Sequence, residues 1–103
     1  MVTQQTAIET AHSFVRDCKA IGLTFDKVLL FGSYANGLPH EGSDIDLALI
    51  SDRFTDDLFE NLRQYAKINI RYPLIETHPF SFRQFAEGDE FLNQITKQGI
   101  EIK

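Results

Sequence analysis

The chain has 103 residues, 43% of them hydrophobic, with 15 acidic against 10 basic side chains and a formal net charge of −5. That length supports one core and is short for two typical domains, so a single domain over residues 1–103 is expected, and no apolar run approaches the roughly 20 residues of a membrane span. One cysteine, Cys18, excludes an internal disulfide and a multi-cysteine zinc site, while the acidic balance disfavours a long polyanion as principal partner.

The charge is unevenly placed. Between Glu41 and Asp57 stand six acids and one base, Arg53, a deficit equal to that of the whole chain; elsewhere nine acids face nine bases. The opening MVTQQTAIET has neither a basic start nor an apolar run, so no leader pattern is visible and a cytoplasmic setting is expected.

In chain order, residues 4–21 read as an amphipathic helix, with Ile8, Ala11, Phe14, Val15, Cys18 and Ile21 at helical spacing. Thr6 and Glu9 have the spacing of a capping box, and Gly22 suits the position just past the C-terminus. Cys18, on the apolar stripe, is read as core. Lys27–Phe31 (KVLLF) is an apolar run consistent with a buried strand. Gly32 and Ser33 end it and lead toward a helical turn; Gly37, Pro39 and Gly42 keep the next stretch irregular.

Ile45–Ile50 (IDLALI) reads as a second strand. A period of two puts Ile45, Leu47 and Leu49 on one face, with Asp44, Asp46, Ala48 and Ile50 on the other. Thr55 is the expected N-cap of a helix carrying Asp56 and Asp57 in its first turn and Leu58, Phe59, Leu62, Tyr65 and Ala66 on its apolar side. Pro73 breaks the chain before a third strand, Leu74–His78. Ser81 with Gln84 predicts a capped helical turn, Glu90–Gln98 a final helix stopped by Gly99, and Ile100–Ile102 a short edge strand. Helices alternating with strands imply an α/β sandwich.

Two blocks carry chemistry. Aspartates at i and i+2 of a strand, Asp44 and Asp46, point the same way with Cα atoms about 6.5 Å apart. Two carboxylates so placed repel unless a cation sits between them, and hard oxygen ligands on a rigid strand suit Mg²⁺ or Mn²⁺ together with substrate phosphates. A solvated strand face is the plain alternative, which the apolar Ala48 and Ile50 on that face disfavour. Upstream, Gly32 allows close backbone approach to a phosphate and Ser33 adds a hydroxyl. The G-K-[ST] ending of a Walker A loop is absent.

Gly32-Ser33, ten residues, then Asp44-x-Asp46 resembles the G-S-x10-D-x-D signature of the minimal nucleotidyltransferases, in the DNA polymerase β-like superfamily. Four fixed positions at fixed spacing recur by chance in roughly one such chain in a thousand. The resemblance implies a nucleotidyltransferase fold of the α/β (α+β) class, with a small mixed sheet of three to four strands flanked by helices. It implies that Asp44 and Asp46 bind Mg²⁺ or Mn²⁺, that Gly32 and Ser33 hold the nucleotide phosphates, and that a third carboxylate comes from a later strand. Glu76, the only acid in the third strand, stands at that place. The family pattern more often has aspartate there, a departure of one methylene.

The function so implied is transfer of a nucleoside monophosphate, AMP from ATP, to an acceptor hydroxyl by a two-metal in-line mechanism. Larger members of the superfamily carry an acceptor-binding domain for which this length leaves no room. The acceptor is therefore expected on a partner, as in two-gene pairs of a minimal nucleotidyltransferase with a small all-helical HEPN-type protein encoded nearby. There the nucleotidyltransferase is the antitoxin and in some pairs adenylylates a tyrosine of the toxin. The alternative is a catalytically weak nucleotide-binding antitoxin that neutralises its partner by contact. Transfer to a small molecule is disfavoured by the missing acceptor domain, and nucleic acid as acceptor by the charge.

Other polar residues have plainer readings. Asp52, Asp56 and Asp57 belong to a loop and a helix start, and Glu41 has no geometric constraint. His40, in the loop, and His78, which shares a strand face with Glu76, are read first as solvent-facing. Arg71 and Tyr72, just before the third strand, are weak candidates to face an acceptor.

Overall fold

A computed structural model describes residues 3–37, 39 and 42–103. His40 and Glu41 lie outside the described residues. The first helix, α1 (Gln4–Ala20), starts one turn earlier than a Thr6 cap requires, because Thr3 is the cap and its hydroxyl accepts from the Thr6 N–H at 3.1 Å. Gln4 and Gln5 are good helix formers and tolerate the extra turn. The buried stripe is Ala7, Ala11, Phe14 and Cys18, whereas Ile21, expected on it, is the C-cap and stays exposed. Beyond it Gly22 takes a left-handed φ of 92°. The Gly22 and Leu23 N–H groups then donate to Lys19 and Cys18 carbonyls at 2.9 and 3.0 Å, a Schellman ending that turns Leu23 into the core.

β1 (Lys27–Phe31) and β2 (Ile45–Ser51) pair antiparallel. Between β2 and β3 (Ile75–Ser81), the predicted single helix divides into α2 (Leu58–Arg63) and α3 (Ala66–Asn69). Asp57, not Thr55, caps α2 by accepting from the Glu60 N–H at 3.2 Å. The Thr55 hydroxyl accepts from the Asp57 N–H instead. Helical geometry fails at Tyr65, whose ring lies between Phe14 and Phe54 with centroids 6.0 Å from each. Its hydroxyl donates to Thr77 Oγ1 of β3 at 2.9 Å. Core packing outweighs the local helical pattern there.

β3 runs three residues past His78, through Pro79. A proline removes one ladder donor and is tolerated because β3 is an edge strand, bonded to β2 alone. Ser81 ends β3 and caps α4 (Phe82–Glu87) in the expected capping box with Gln84. α5 (Glu90–Gln98) stops before Gly99, and β4 (Ile100–Glu101) pairs antiparallel with β1.

The sheet order is β3-β2-β1-β4, with β2 and β3 parallel and the other pairs antiparallel. Strand alternation divides the core by face. Val28, Leu30, Ile45, Leu47 and Leu49 pack with Phe14 and Cys18 of α1 and with Tyr65 and Ile68. Leu29, Ala48 and Ile50 pack with Ile95 of α5, Phe85 of α4 and Phe80. This is a mixed α/β architecture, a four-stranded mixed sheet flanked by helices, as the resemblance implies. No helix is long and apolar enough to cross a membrane among the described residues.

Candidate active site

The two sequence blocks meet at one end of the sheet, where β1 finishes and β2 and β3 begin. Antiparallel register sets Phe31 opposite Asp46, and parallel register sets Asp46 opposite Glu76. Gly32 follows with a left-handed φ of 77°, and a Cβ there would overlap Asp46 Oδ2. The Asp46 carboxylate therefore lies directly against the Gly32 α-carbon, and any side chain at 32 would displace it. Gly32 has a packing reason as well as a backbone one.

His78 stands two residues beyond Glu76 and on the same face. Asp46, Glu76 and His78 each offer one ligand atom, and these atoms all lie within 4.8 Å of one another. His78 Nε2 is 3.8 Å from Asp46 Oδ1. Glu76 is exposed at the mouth of the group, while Asp46 and His78 are half-buried. Burial first, then the hydrogen bond and negative charge of Glu76, push the Asp46 carboxyl up to about 6; His78 opposes this, and Asp44 adds to it.

Asp44 is exposed, just ahead of the first residue of β2, and is not a member of the tight group. Ser33 lies half-buried in a single turn over residues 33–37, closed by the Asn36 N–H donating to the Gly32 carbonyl at 3.1 Å, so the expected helical start is one turn only. The turn is pinned to α1, whose Gln4 Nε2 donates to the Tyr34 carbonyl at 2.7 Å.

His78 belongs to the group although its sequence context gave it no special weight. The available signal was its i+2 spacing from Glu76; the parallel register that sets both against β2 is a tertiary fact. Its ring meets Phe31 edge-on at 5.1 Å, and Phe91 of α5 lies 6.5 Å away. Tyr72, a weak acceptor-side candidate, is used for packing: its ring abuts Phe14 and its hydroxyl donates to Asp17 of α1.

Two cavities help to place the chemistry. One of about 170 Å³ lies between Gly32 and α5, with Asn36, Gln94 and Gln98 supplying amide groups. A larger depression of about 460 Å³ is lined by Leu62, Tyr65, Ile70 and Tyr72 and contains none of the acids. Volume alone would favour the second; neither is lined by an acid, but the first includes Gly32, against whose α-carbon the Asp46 carboxylate lies.

The donor set fits a divalent cation. A second carboxyl lies beside Asp46 and opposes its ionisation, and a buried imidazole nitrogen next to them has no hydrogen-bond partner among the described residues. Asp46, Glu76 and His78 are the residues that could hold it, with Asp44 close enough to act on Asp46 electrostatically.

Comparison with known proteins bears on the fold and the family. No curated protein sequence matches the chain significantly. Among solved structures it is similar to a nucleotidyltransferase from Sulfolobus solfataricus, at 17% identity with 95% of this chain and 80% of that chain covered and a TM-score of 0.71. It is also similar to the toxin–antitoxin MntA-HpeT mutant, at 21% identity, 93% and 72% coverage and a TM-score of 0.59. A third similar structure is a tri-AMPylated Shewanella oneidensis HEPN toxin in complex with its MNT antitoxin, at 20% identity, 98% and 72% coverage and a TM-score of 0.56. At such identities the likeness is one of fold. The sequence model of the nucleotidyltransferase domain matches residues 13–97, and the chain belongs to the nucleotidyltransferase domain family.

Proposed function

We propose that this protein transfers AMP from ATP to a hydroxyl, that of a tyrosine on a small all-helical HEPN-type partner encoded nearby. The observation carrying the reading is the meeting of Gly32, Asp46 and Glu76 at one end of the sheet. The bare α-carbon of Gly32 lets the triphosphate approach the backbone, and the Ser33 hydroxyl donates to a β- or γ-phosphate oxygen. Asp44, Asp46 and Glu76 hold Mg²⁺ or Mn²⁺. When bound, the cation neutralises phosphate charge and lowers the pKa of the acceptor hydroxyl. Glu76, open to solvent at the mouth of the group, takes the acceptor proton as that oxygen attacks the α-phosphorus, and pyrophosphate departs on the Ser33 side.

A partner-borne acceptor has two supports. One structural relative is a complex containing a tri-AMPylated HEPN toxin. Exposed apolar side chains also gather on the β2–β3 crossover, at Leu58, Phe59, Ile70 and Leu74, where a protein contact would cover them. Incubation with Mg-ATP and the neighbouring gene product should add AMP-sized mass increments to that product. The Asp44→Asn/Asp46→Asn double variant should add none while still forming the complex.

A second reading is a contact-neutralising antitoxin with little catalysis. It is favoured by the position of Asp44 outside the tight group and by glutamate as the third acid. If the double variant neutralises its partner as well as the unmodified protein does, this reading replaces the first as the account of neutralisation.

A further inference from the structure

We propose that His78 Nε2 is a direct ligand of the cation held by Asp46 and Glu76, and that this nitrogen biases the site from Mg²⁺ toward Mn²⁺. The inference rests on the metal-binding reading of the site and goes beyond it in adding a nitrogen donor. At 3.8 Å from Asp46 Oδ1, Nε2 is too distant for a hydrogen bond. Two donors on one ion, each bonded at about 2.0–2.2 Å, stand roughly 3 to 4 Å apart. The separation suits shared coordination and does not suit direct contact.

Nε2 is also buried and has no hydrogen-bond partner among the described residues. The ring as a whole is accessible, with 33% of the side-chain surface exposed, yet its polar atom is turned away from solvent and toward the carboxylates. A buried polar atom without a partner is unfavourable, and a cation between it and Asp46 supplies the missing interaction. The edge-on packing against Phe31 restricts the ring, and β3's register fixes its backbone. Glu76, longer than aspartate by one methylene, can reach the ion from the exposed side and leave the inner position to imidazole.

The chemical consequence follows from ligand preference. Mg²⁺ takes oxygen donors in a strict octahedron and is poorly served by nitrogen, whereas Mn²⁺ accepts imidazole more readily. With Nε2 in the coordination sphere the site gains more for Mn²⁺ than for Mg²⁺.

The test uses the full, untagged chain loaded with Mn²⁺, with and without ATP. Binding is followed by loss of the free-ion electron paramagnetic resonance signal, and coordination by nitrogen modulation of the electron spin echo. The unmodified protein should show modulation from a directly bound imidazole, absent in His78→Gln. That variant should lose about tenfold or more in Mn²⁺ affinity and much less in Mg²⁺ affinity measured by competition. Should His78→Gln not fold, the spectrum of the unmodified protein decides alone. Bound Mn²⁺ without nitrogen modulation overturns the inference. Asp46→Asn separates the two levels: if it abolishes Mn²⁺ binding while the unmodified protein shows no nitrogen signal, only the His78 inference fails. If Asp46→Asn binds Mn²⁺ like the unmodified protein, or if neither binds it, the underlying metal site fails as well.

Discussion

Asp46 is half-buried beside a second carboxyl, and its proton affinity governs how the metal-free protein responds to pH. Its carboxyl titrates near 6 in the folded chain against an ordinary 3.8. Between those values the folded state holds a proton that the unfolded state has lost, so stability falls as pH rises from about 4 to about 6 and is level beyond. Asp46→Asn removes that slope. With divalent ions chelated, the variant should be more stable than the unmodified protein at pH 7 by about 1–2 kcal/mol, a value discounted for partial solvent access. Urea midpoints at pH 4, 5, 6 and 7 check this, and a slope of opposite sign contradicts it. Gly32 makes a second prediction. Gly32→Ala places a Cβ on Asp46 Oδ2 at φ 77°, whereas Gly37→Ala, at φ 73°, meets nothing within 4 Å. Both should cost about 1–2 kcal/mol of stability through backbone strain, but only Gly32→Ala should weaken Mn²⁺ binding, by about tenfold or more, in calorimetric titration. Cys18 is the residue most plainly read from its pattern: it is buried in the core, and burial pushes its thiol up to about 12.

At the scale of elements, the crossover from β2 to β3 shows where local patterns give way. Thr55 had the look of an N-cap, but its peptide is bracketed by buried Asn61, whose Oδ1 accepts from the Thr55 N–H at 2.8 Å and whose Nδ2 donates to the Thr55 carbonyl at 2.7 Å. Asn61→Ala leaves both backbone groups unpaired and should cost about 2–3 kcal/mol, read as a lower denaturant midpoint with an unchanged slope. Retention of full stability would show that water replaces both bonds. Tyr65 interrupts the same pattern because its ring and hydroxyl are both satisfied in the core. Asn69 extends that link, accepting from Thr77 Oγ1 at 3.1 Å and donating to the Ile75 carbonyl at 3.2 Å. α5, by contrast, has the predicted bounds, since a capping aspartate, an apolar stripe and a terminal glycine all act within its own length.

For the molecule as a whole, the acidic window from Glu41 to Asp57 separates into distinct uses. Asp57 caps α2, Asp56 pairs with Arg83 at 3.6 Å, Asp46 belongs to the candidate site, and Asp44 is its exposed electrostatic neighbour. A cation bound only by the folded state stabilises the whole domain in proportion to the logarithm of its concentration. At about a hundred times its dissociation constant this amounts to about 2.7 kcal/mol, or about 12 °C in melting temperature for a chain of this size. Calorimetric melts should show that rise with Mn²⁺ in the unmodified protein and none in Asp46→Asn, reversing their order in chelator. The sequence alone determined the four strands, the first and last helices, the two apolar faces of β2 and the Gly32-Ser33/Asp44-x-Asp46 spacing, because periodicity, caps and turn residues are properties of short segments. Only the tertiary structure decided that Glu76 and His78 face Asp46, that Asp44 stands apart, that Pro79 is tolerated at an edge and that Tyr65 breaks a helix. Strand register and core packing join segments distant in the chain, and no local pattern encodes which rung of one strand meets which rung of another.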